Sequence, residues 1–304
     1  MHDSTRPYRG RFAPSPTGPL HFGSLIAAVG SYLEARWNRG KWLVRMEDLD
    51  RPREARGASN TILRMLEVYG FEWDGTVVFQ SRRGAAYGAA LKRLEHEHAV
   101  FPCACTRREI SDSTLLAASE PIYPGTCRRG LAPGRAARAM RVRVDNAMIA
   151  FEDLLQGRIE QNLAREVGDF VVRRSDGLFA YQLAVVVDDF EQSITDVVRG
   201  ADLLASTPRQ ILLQRLLGHP TPRYMHLPVA TNQYGEKLSK QTRAAPLTVT
   251  EAPVRLWQAL SFLGQRPPAE LAAGRIAGIW NWALANWRIE RIPTRRSLRE
   301  GEAG

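Results

Sequence analysis

A chain of 304 residues with 44% hydrophobic side chains can bury a substantial core, which excludes disorder as its general state. Its net charge of +10 points to a polyanionic partner, because clustered cations gain affinity by releasing counterions from phosphates. No stretch approaches the ~20 apolar residues that span a bilayer, and no basic N-terminal segment leads into a short apolar run. The expectation is a cytoplasmic protein with no membrane partner.

In chain order, Tyr8 to Ala13 is predicted as a strand, Gly23 to Asn38 as a helix and Trp42 to Met46 as a second strand. Ala58 to Tyr69 and Gly84 to Glu97 are predicted as helices, since their apolar positions recur at helical spacing. Such alternation implies a parallel sheet covered by helices, with ligands expected at the carboxyl ends of the strands. Residues 101–140 break the rhythm with all three cysteines, several prolines and a Gly/Arg/Ala stretch, and are predicted as an insertion. Alternating segments return at Met140 to Val144, Asp169 to Arg173, Phe179 to Val187 and Ser193 to Val198, followed by a helix from Pro208 to Leu217. After Thr242 the chain is predicted to be helical, with Trp257, Trp280, Trp282 and Trp287 as packing residues, and no internal repeat is present.

Neither a G-x-x-x-x-G-K-[ST] loop nor a G-x-G-x-x-G turn occurs, so phosphate binding has to be sought elsewhere. The segment Arg11 to Ser24 follows a strand, carries Pro14, Pro16 and Pro19, and runs into a helix. That places His21, Gly23 and Ser24 at a helix N-terminus, where free N–H groups and the helix dipole favour an anion. Only four of the 42 Lys and Arg residues are lysines, yet Lys237 and Lys240 lie within four residues of each other. A compact ammonium and a planar guanidinium are not equivalent at a phosphate, so this local exception marks a second candidate.

The motif from Arg11 to Gly23, then Val44-Arg-Met-Glu-Asp-Leu-Asp50, then Lys237-Leu-Ser-Lys-Gln241, in this order and spanning roughly residues 8 to 245, resembles the catalytic domain of class I glutamyl-tRNA synthetases. The first and last stand where that family has its HIGH and KMSKS motifs. Ser24 replaces the second histidine of the first, while Leu238 and Gln241 replace the methionine and last serine of the second. Within the family, the short chain and the clustered cysteines with Tyr123-Pro-Gly-Thr-Cys127 resemble the glutamyl-queuosine tRNA(Asp) synthetases.

The resemblance implies an α/β, Rossmann-like catalytic domain with an inserted zinc-containing subdomain and a short helical C-terminal region. Its first half would occupy residues 1–100, the insertion 101–190, the second half 191–245 and the helical region 246–304, with no anticodon-binding domain. It implies ATP-dependent, tRNA-independent activation of glutamate and transfer to queuosine in the anticodon stem-loop of tRNA(Asp), by a monomer. Arg11, Phe12, Ala13, Pro14, Ser15, Glu47, Tyr181 and Arg199 match its glutamate contacts. Two arginines and a glutamate among them suit a ligand with two carboxylates and one ammonium. His21, Gly23, Ser24 and Lys240 match its ATP contacts, and His21, Ser24, Lys237 and Lys240 its catalytic set, with Mg2+ carried mainly by the phosphates of ATP.

Cys103, Cys105 and Cys127 are the only cysteines; a cytosolic setting disfavours a structural disulfide, and tetrahedral zinc needs a fourth ligand. Spacing alone suggests His98 or a water for that position, whereas the resemblance implies Tyr123, in one structural zinc site. Three other readings compete. An ordinary glutamyl-tRNA synthetase charging a 3′ end would continue into an anticodon-binding domain, and only about 60 residues follow Gln241. A non-catalytic RNA-binding relic would be expected to lose Lys240 or His21, and both are present. A small-molecule adenylyltransferase would leave the basic charge without a use.

Overall fold

The computed structural model describes residues 7–50, 54–112, 122–146, 148–238 and 244–302. Strand β1 (Arg9–Phe12) leads through α1 (Phe22–Trp37) to β2 (Lys41–Met46), which pairs with it in parallel with Arg11 opposite Leu43. Helix α2 (Ala58–Val68) then leads to β3 (Val78–Phe79), parallel to β2 on its other side. A built Cβ on Gly30 would lie 2.5 Å from Cδ1 of Leu227, so α1 can lie this close to the sheet only because that position has no side chain.

Helix α3 (Gly84–His96) is followed by β4 (Val100–Cys103), α4 (Arg107–Asp112), β5 (Ala139–Val142), β6 (Met148–Asp153), β7 (Gly157–Asn162), α5 (Leu163–Glu166) and β8 (Val171–Arg173). Within residues 101–190, β4, β5 and β8 form their own antiparallel sheet, whereas the β6–β7 hairpin joins the main body by pairing β6 in parallel with β10 (Arg223–Leu227) at Asp153 and Tyr224. Before β10 come α6 (Tyr181–Glu191), β9 (Asp196–Gly200) and α7 (Thr207–Leu216), and β9 is parallel to β10. The amide of Thr195 donates to Arg9 O at 3.0 Å, setting the β9 side of the sheet against β1. Strand order therefore reverses between β1 and β9, the kind of switch point at which parallel sheets open a crevice beyond their carboxyl ends.

Two apolar cores flank this sheet. One unites α1 and α2 with α8 (Ala252–Phe262) and α9 (Ile276–Asn286); the other is built from α3, α6 and α7. Trp280 and Trp287 are buried in the first, donating to Tyr69 O and Glu34 Oε2 at 2.8 Å each, while Trp257 and Trp282 are half-buried. No helix among the described residues is long and apolar enough to cross a membrane.

The segment predicted to alternate from Phe179 to Val187 is instead helical, as α6 from Tyr181. Leu183 to Val187 are all buried, since α6 is packed between α3 and α7, so its apolar run carries no helical period. Its three valines then resemble a buried strand, and tertiary packing overrides that local preference. The C-terminal region also departs from all-helical, because β12 (Ser297–Arg299) pairs with β11 (Val229–Thr231).

Candidate active site

The first turn of α1 is built by its N-cap. Nδ1 of His21 accepts from the Ser24 amide at 3.4 Å, and Oγ of Ser24 accepts from the His21 amide at 3.5 Å. With Nδ1 accepting, the ring proton sits on Nε2, where it can be donated outward. No acidic residue occupies the first turn, so the positive end of a 16-residue helix is left for an anion. A built Cβ on Gly23 would stand 3.3 Å from the Leu238 carbonyl, so the glycine lets the chain around Lys237 lie close over this helix end.

A cavity of 620 Å³ opens here, walled by the residues that follow β1, β2, β9 and β10. It brings together Arg11, Phe12, Ala13, Pro14, Ser15, Glu47, Tyr181 and Arg199 with His21, Gly23, Ser24 and Lys237. Lys237 is ion-paired to Asp202, on the turn after β9, a partner that the motif did not reveal. Lys240, Ser239 and Gln241 lie outside the described residues.

Below the cavity is a buried lattice of opposite charges. Arg11 Nε donates to Asp189 Oδ1 at 3.2 Å; Arg45 Nη1 donates to the same oxygen at 2.8 Å and to Gln192 Oε1 at 2.8 Å. Arg45 also reaches Glu47 Oε1 at 3.4 Å and lies 3.8 Å from Asp188, which in turn accepts from Gln80, Arg83 and Tyr87. Burial works to raise the Asp189 carboxyl, but Arg11 and Arg45 outweigh it and hold the group below the usual aspartate range. Burial raises Glu47, against the pull of the same arginines. Its ionised form is therefore held at a cost that a bound cation would offset.

Arg199 is anchored differently. Nε donates to His226 Nε2 at 3.1 Å, Nη1 to the Tyr181 hydroxyl at 3.3 Å, and Nη2 to Thr207 Oγ1 and Gln210 Oε1 at 2.8 Å each. Behind it, His226 Nδ1 and Asp153 Oδ2 are 2.6 Å apart. Sequence reasoning missed Arg45, Asp153, Asp188, Asp189, His226, Thr207 and Gln210. A signal existed for some of them: Arg45 sits inside an apolar strand and Asp188-Asp189 directly follows three valines, and buried charges in such places require partners.

Apart from the cleft, Cys103, Cys105 and Cys127 bring their Sγ atoms within 4.8 Å of one another, and no histidine joins this group among the described residues. His98 is exposed at the turn after α3. The Tyr123 oxygen lies 3.5 Å from Cys103 Sγ and 3.8 Å from Cys105 Sγ, and Cys105 Sγ is 3.6 Å from Cys127 Sγ. Tetrahedral zinc with Zn–S bonds of ~2.3 Å sets ligand atoms roughly 3.8 Å apart, so these donors fit such an ion. The Arg141 guanidinium lies over the Tyr123 ring at 4.1 Å and donates to Cys103 Sγ at 3.3 Å, which suits a cluster that becomes anionic on metal binding.

Residues 8–263 match the family described as tRNA synthetases class I (E and Q), catalytic domain. The chain is 61% identical over 294 residues to the glutamyl-Q tRNA(Asp) synthetase of Dechloromonas aromatica, covering 96% of this chain and 97% of that one. Identity to the enzyme of the same name from Geobacter sulfurreducens is 54% over 296 residues, with 95% and 94% covered. Among solved structures, the glutamate–tRNA synthetase of Elizabethkingia anophelis superposes with a TM-score of 0.80 over 97% of this chain and 68% of that one; at 22% identity this speaks to the fold alone. By the family match and these near-full-length identities, the chain belongs to the class I tRNA synthetases for glutamate and glutamine, and within them to the glutamyl-Q tRNA(Asp) synthetases.

Proposed function

We propose that this enzyme activates glutamate with ATP without requiring tRNA, then transfers the glutamyl group to queuosine in the anticodon stem-loop of tRNA(Asp), as a monomer in the cytoplasm. The observation that carries the first half is the charge layout of one cavity: Arg11 and Arg199 for two carboxylates, Glu47 for an ammonium, and the α1 N-terminus for phosphate. The second half rests on relatives named for that acceptor.

In the first step a glutamate α-carboxylate oxygen attacks the α-phosphorus of ATP, the bond to the bridging oxygen breaks, and pyrophosphate leaves. Both reactants are anionic, so the protein's task is positioning and charge neutralisation. His21 Nε2–H and the first-turn amides would hold phosphate oxygens, Ser24 would keep the cap formed, and Lys237 and Lys240 would neutralise the transferring group, with Mg2+ on the phosphates. In the second step an acceptor hydroxyl attacks the acyl carbon and AMP leaves.

Glutamate-dependent pyrophosphate exchange without any tRNA is the direct test. Exchange that requires tRNA, or that prefers glutamine, would count against this reading. In the same assay Lys240→Ala is expected to lower the rate by about 10²–10³-fold, the range for losing one group that stabilises transition-state charge. Lys92→Ala, on α3 and away from the cavity lining, should leave it near wild type.

Zinc held by Cys103, Cys105, Tyr123 and Cys127 would pin the segment between β4 and β5, whose described residues form only a small apolar cluster. Protein purified without added metal is expected to carry close to one equivalent of zinc by elemental analysis, and Cys105→Ser to lose metal and thermal stability together. Metal-free protein of unchanged stability would remove the site, and metal loss in His98→Ala but not Tyr123→Phe would reassign its fourth ligand.

A further inference from the structure

Arg11 and Arg199 line the cavity and Arg45 is buried below it, and the three are neutralised in different ways. Arg11 and Arg45 both donate directly to the Asp189 carboxylate. Each of the four groups that Arg199 reaches among the described residues is uncharged: a phenol, a hydroxyl, an amide oxygen and an imidazole. The imidazole is the unusual partner, because a protonated histidine beside a buried guanidinium would be repelled. His226 is fully buried, and burial pushes it below its ordinary range, so the ring is neutral and only its tautomer remains to be set.

Asp153 sets it. This carboxylate is 4% exposed and accepts from the amides of Leu155, Gln156 and His226 at 3.0, 2.9 and 3.2 Å, so it is fixed before the ring is considered. Its Oδ2 lies 2.6 Å from His226 Nδ1 and accepts from the N–H there, leaving the Nε2 lone pair to face Nε–H of Arg199 at 3.1 Å, with the Thr207 hydroxyl also 3.1 Å from Nε2. With the proton on Nε2 instead, two N–H groups would face each other and the guanidinium would be displaced. The fold supplies this relay through the parallel pairing of β6 with β10, which lays Asp153 beside Tyr224, two residues from His226.

We infer that Asp153 and His226 are positioning residues that hold Arg199 as a cation without a direct anionic partner, and so set the cavity's preference for a side-chain carboxylate over an amide. An ion-paired arginine would accept glutamine or glutamate with little difference. One surrounded by neutral acceptors leaves its charge to be met by the ligand, and glutamine cannot meet it. The inference rests on the reading that the cavity binds glutamate with its side-chain carboxylate on Arg199.

The test is pyrophosphate exchange with glutamate and with glutamine as substrates. His226→Leu is expected to raise the glutamate KM by about 10-fold or more, the scale of a lost hydrogen bond to a charged group, and to erode the glutamate-to-glutamine ratio of kcat/KM by a similar factor. The KM for ATP should stay within about 3-fold of wild type. His226→Gln can place Oε1 where Nε2 stands, and should recover most of the glutamate KM and the selectivity. Should His226→Leu fail to fold, Asp153→Asn must shift KM and selectivity in the same direction by about 3-fold. Unchanged glutamate KM and selectivity in a folded variant, or a His226→Gln protein as unselective as the leucine variant, would overturn the relay. Absence of glutamate-dependent exchange in the wild type would instead overturn the reading on which it rests.

Discussion

Arg45→Met is expected to destabilise the fold by about 3–5 kcal/mol, the usual cost of removing one partner from a buried ion pair. The side chain is fully buried, and three carboxylates lie within reach of its guanidinium: Asp189 at 2.8 Å, Glu47 at 3.4 Å and Asp188 at 3.8 Å. Methionine matches the volume but leaves those charges facing one another in a site with little access to water. Against a total of about 5–15 kcal/mol for a typical domain, such a loss is large. Urea denaturation of the purified variant measures it, with Arg158→Met as the control: that arginine pairs with Glu152 and Glu160 in open solvent, and no measurable change is expected there. The deficit should also depend on pH. Asp189 is depressed by its arginines, so its contribution is fully present above the ordinary aspartate range and is lost as the pH falls through its lowered value. Without Arg45 the carboxyl takes up a proton at higher pH, and the gap between variant and wild type should narrow on acidification. A gap that stayed constant as the pH fell from neutral through the ordinary aspartate value of about 3.9 and below it would show that Asp189 is not what Arg45 compensates.

That lattice also marks the limit of what the sequence discloses. The alternation of β1, α1 and β2 was legible because turn signals separate the elements, Pro14 to Pro19 before α1 and Asn38 to Gly40 after it, although α1 is itself buried without a break from Ala28 to Ala35. Helix α6 was not, because its buried run of Leu183 to Val187 has no polar residue to mark a period and its three consecutive valines favour a strand. The cavity residues were legible through motif order, which links Arg11, His21 and Glu47 in the first fifty residues to Lys237 far along the chain. Asp153 and His226 belong to no local pattern. They become neighbours only when β6 pairs with β10, a contact between segments some 70 residues apart. The thiols were visible as a cluster, but spacing did not choose between His98 and Tyr123, which are about equally near in sequence; it is the folded chain that sets the Tyr123 oxygen 3.5 Å from Cys103 Sγ and 3.8 Å from Cys105 Sγ.

Charging of tRNA(Asp) should depend wholly on queuosine, and the glutamyl group should remain on the RNA after its 3′ end is removed. Activation leaves a mixed anhydride that any well-placed hydroxyl can attack, so the chemistry of the adenylate does not choose between a terminal ribose and a modified base. Queuosine carries a cyclopentenediol whose paired hydroxyls resemble a ribose diol, and it lies in an anticodon loop whose bases can unstack and splay outward. A protein with a net charge of +10 can hold the backbone of that stem-loop through phosphate contacts while the diol enters the cavity. The measurement uses labelled glutamate with tRNA(Asp) prepared with and without queuosine, followed by a nuclease that trims the 3′ terminus. The expected result is full labelling of the modified tRNA, background labelling of the unmodified one, and label retained after trimming. Binding should weaken steeply as salt rises from about 50 to 200 mM, because phosphate contacts release counterions, whereas tRNA-independent exchange should show no such dependence. Label lost with the terminal adenosine, or equal charging of both tRNAs, would assign the protein to 3′-end aminoacylation despite its relatives' names.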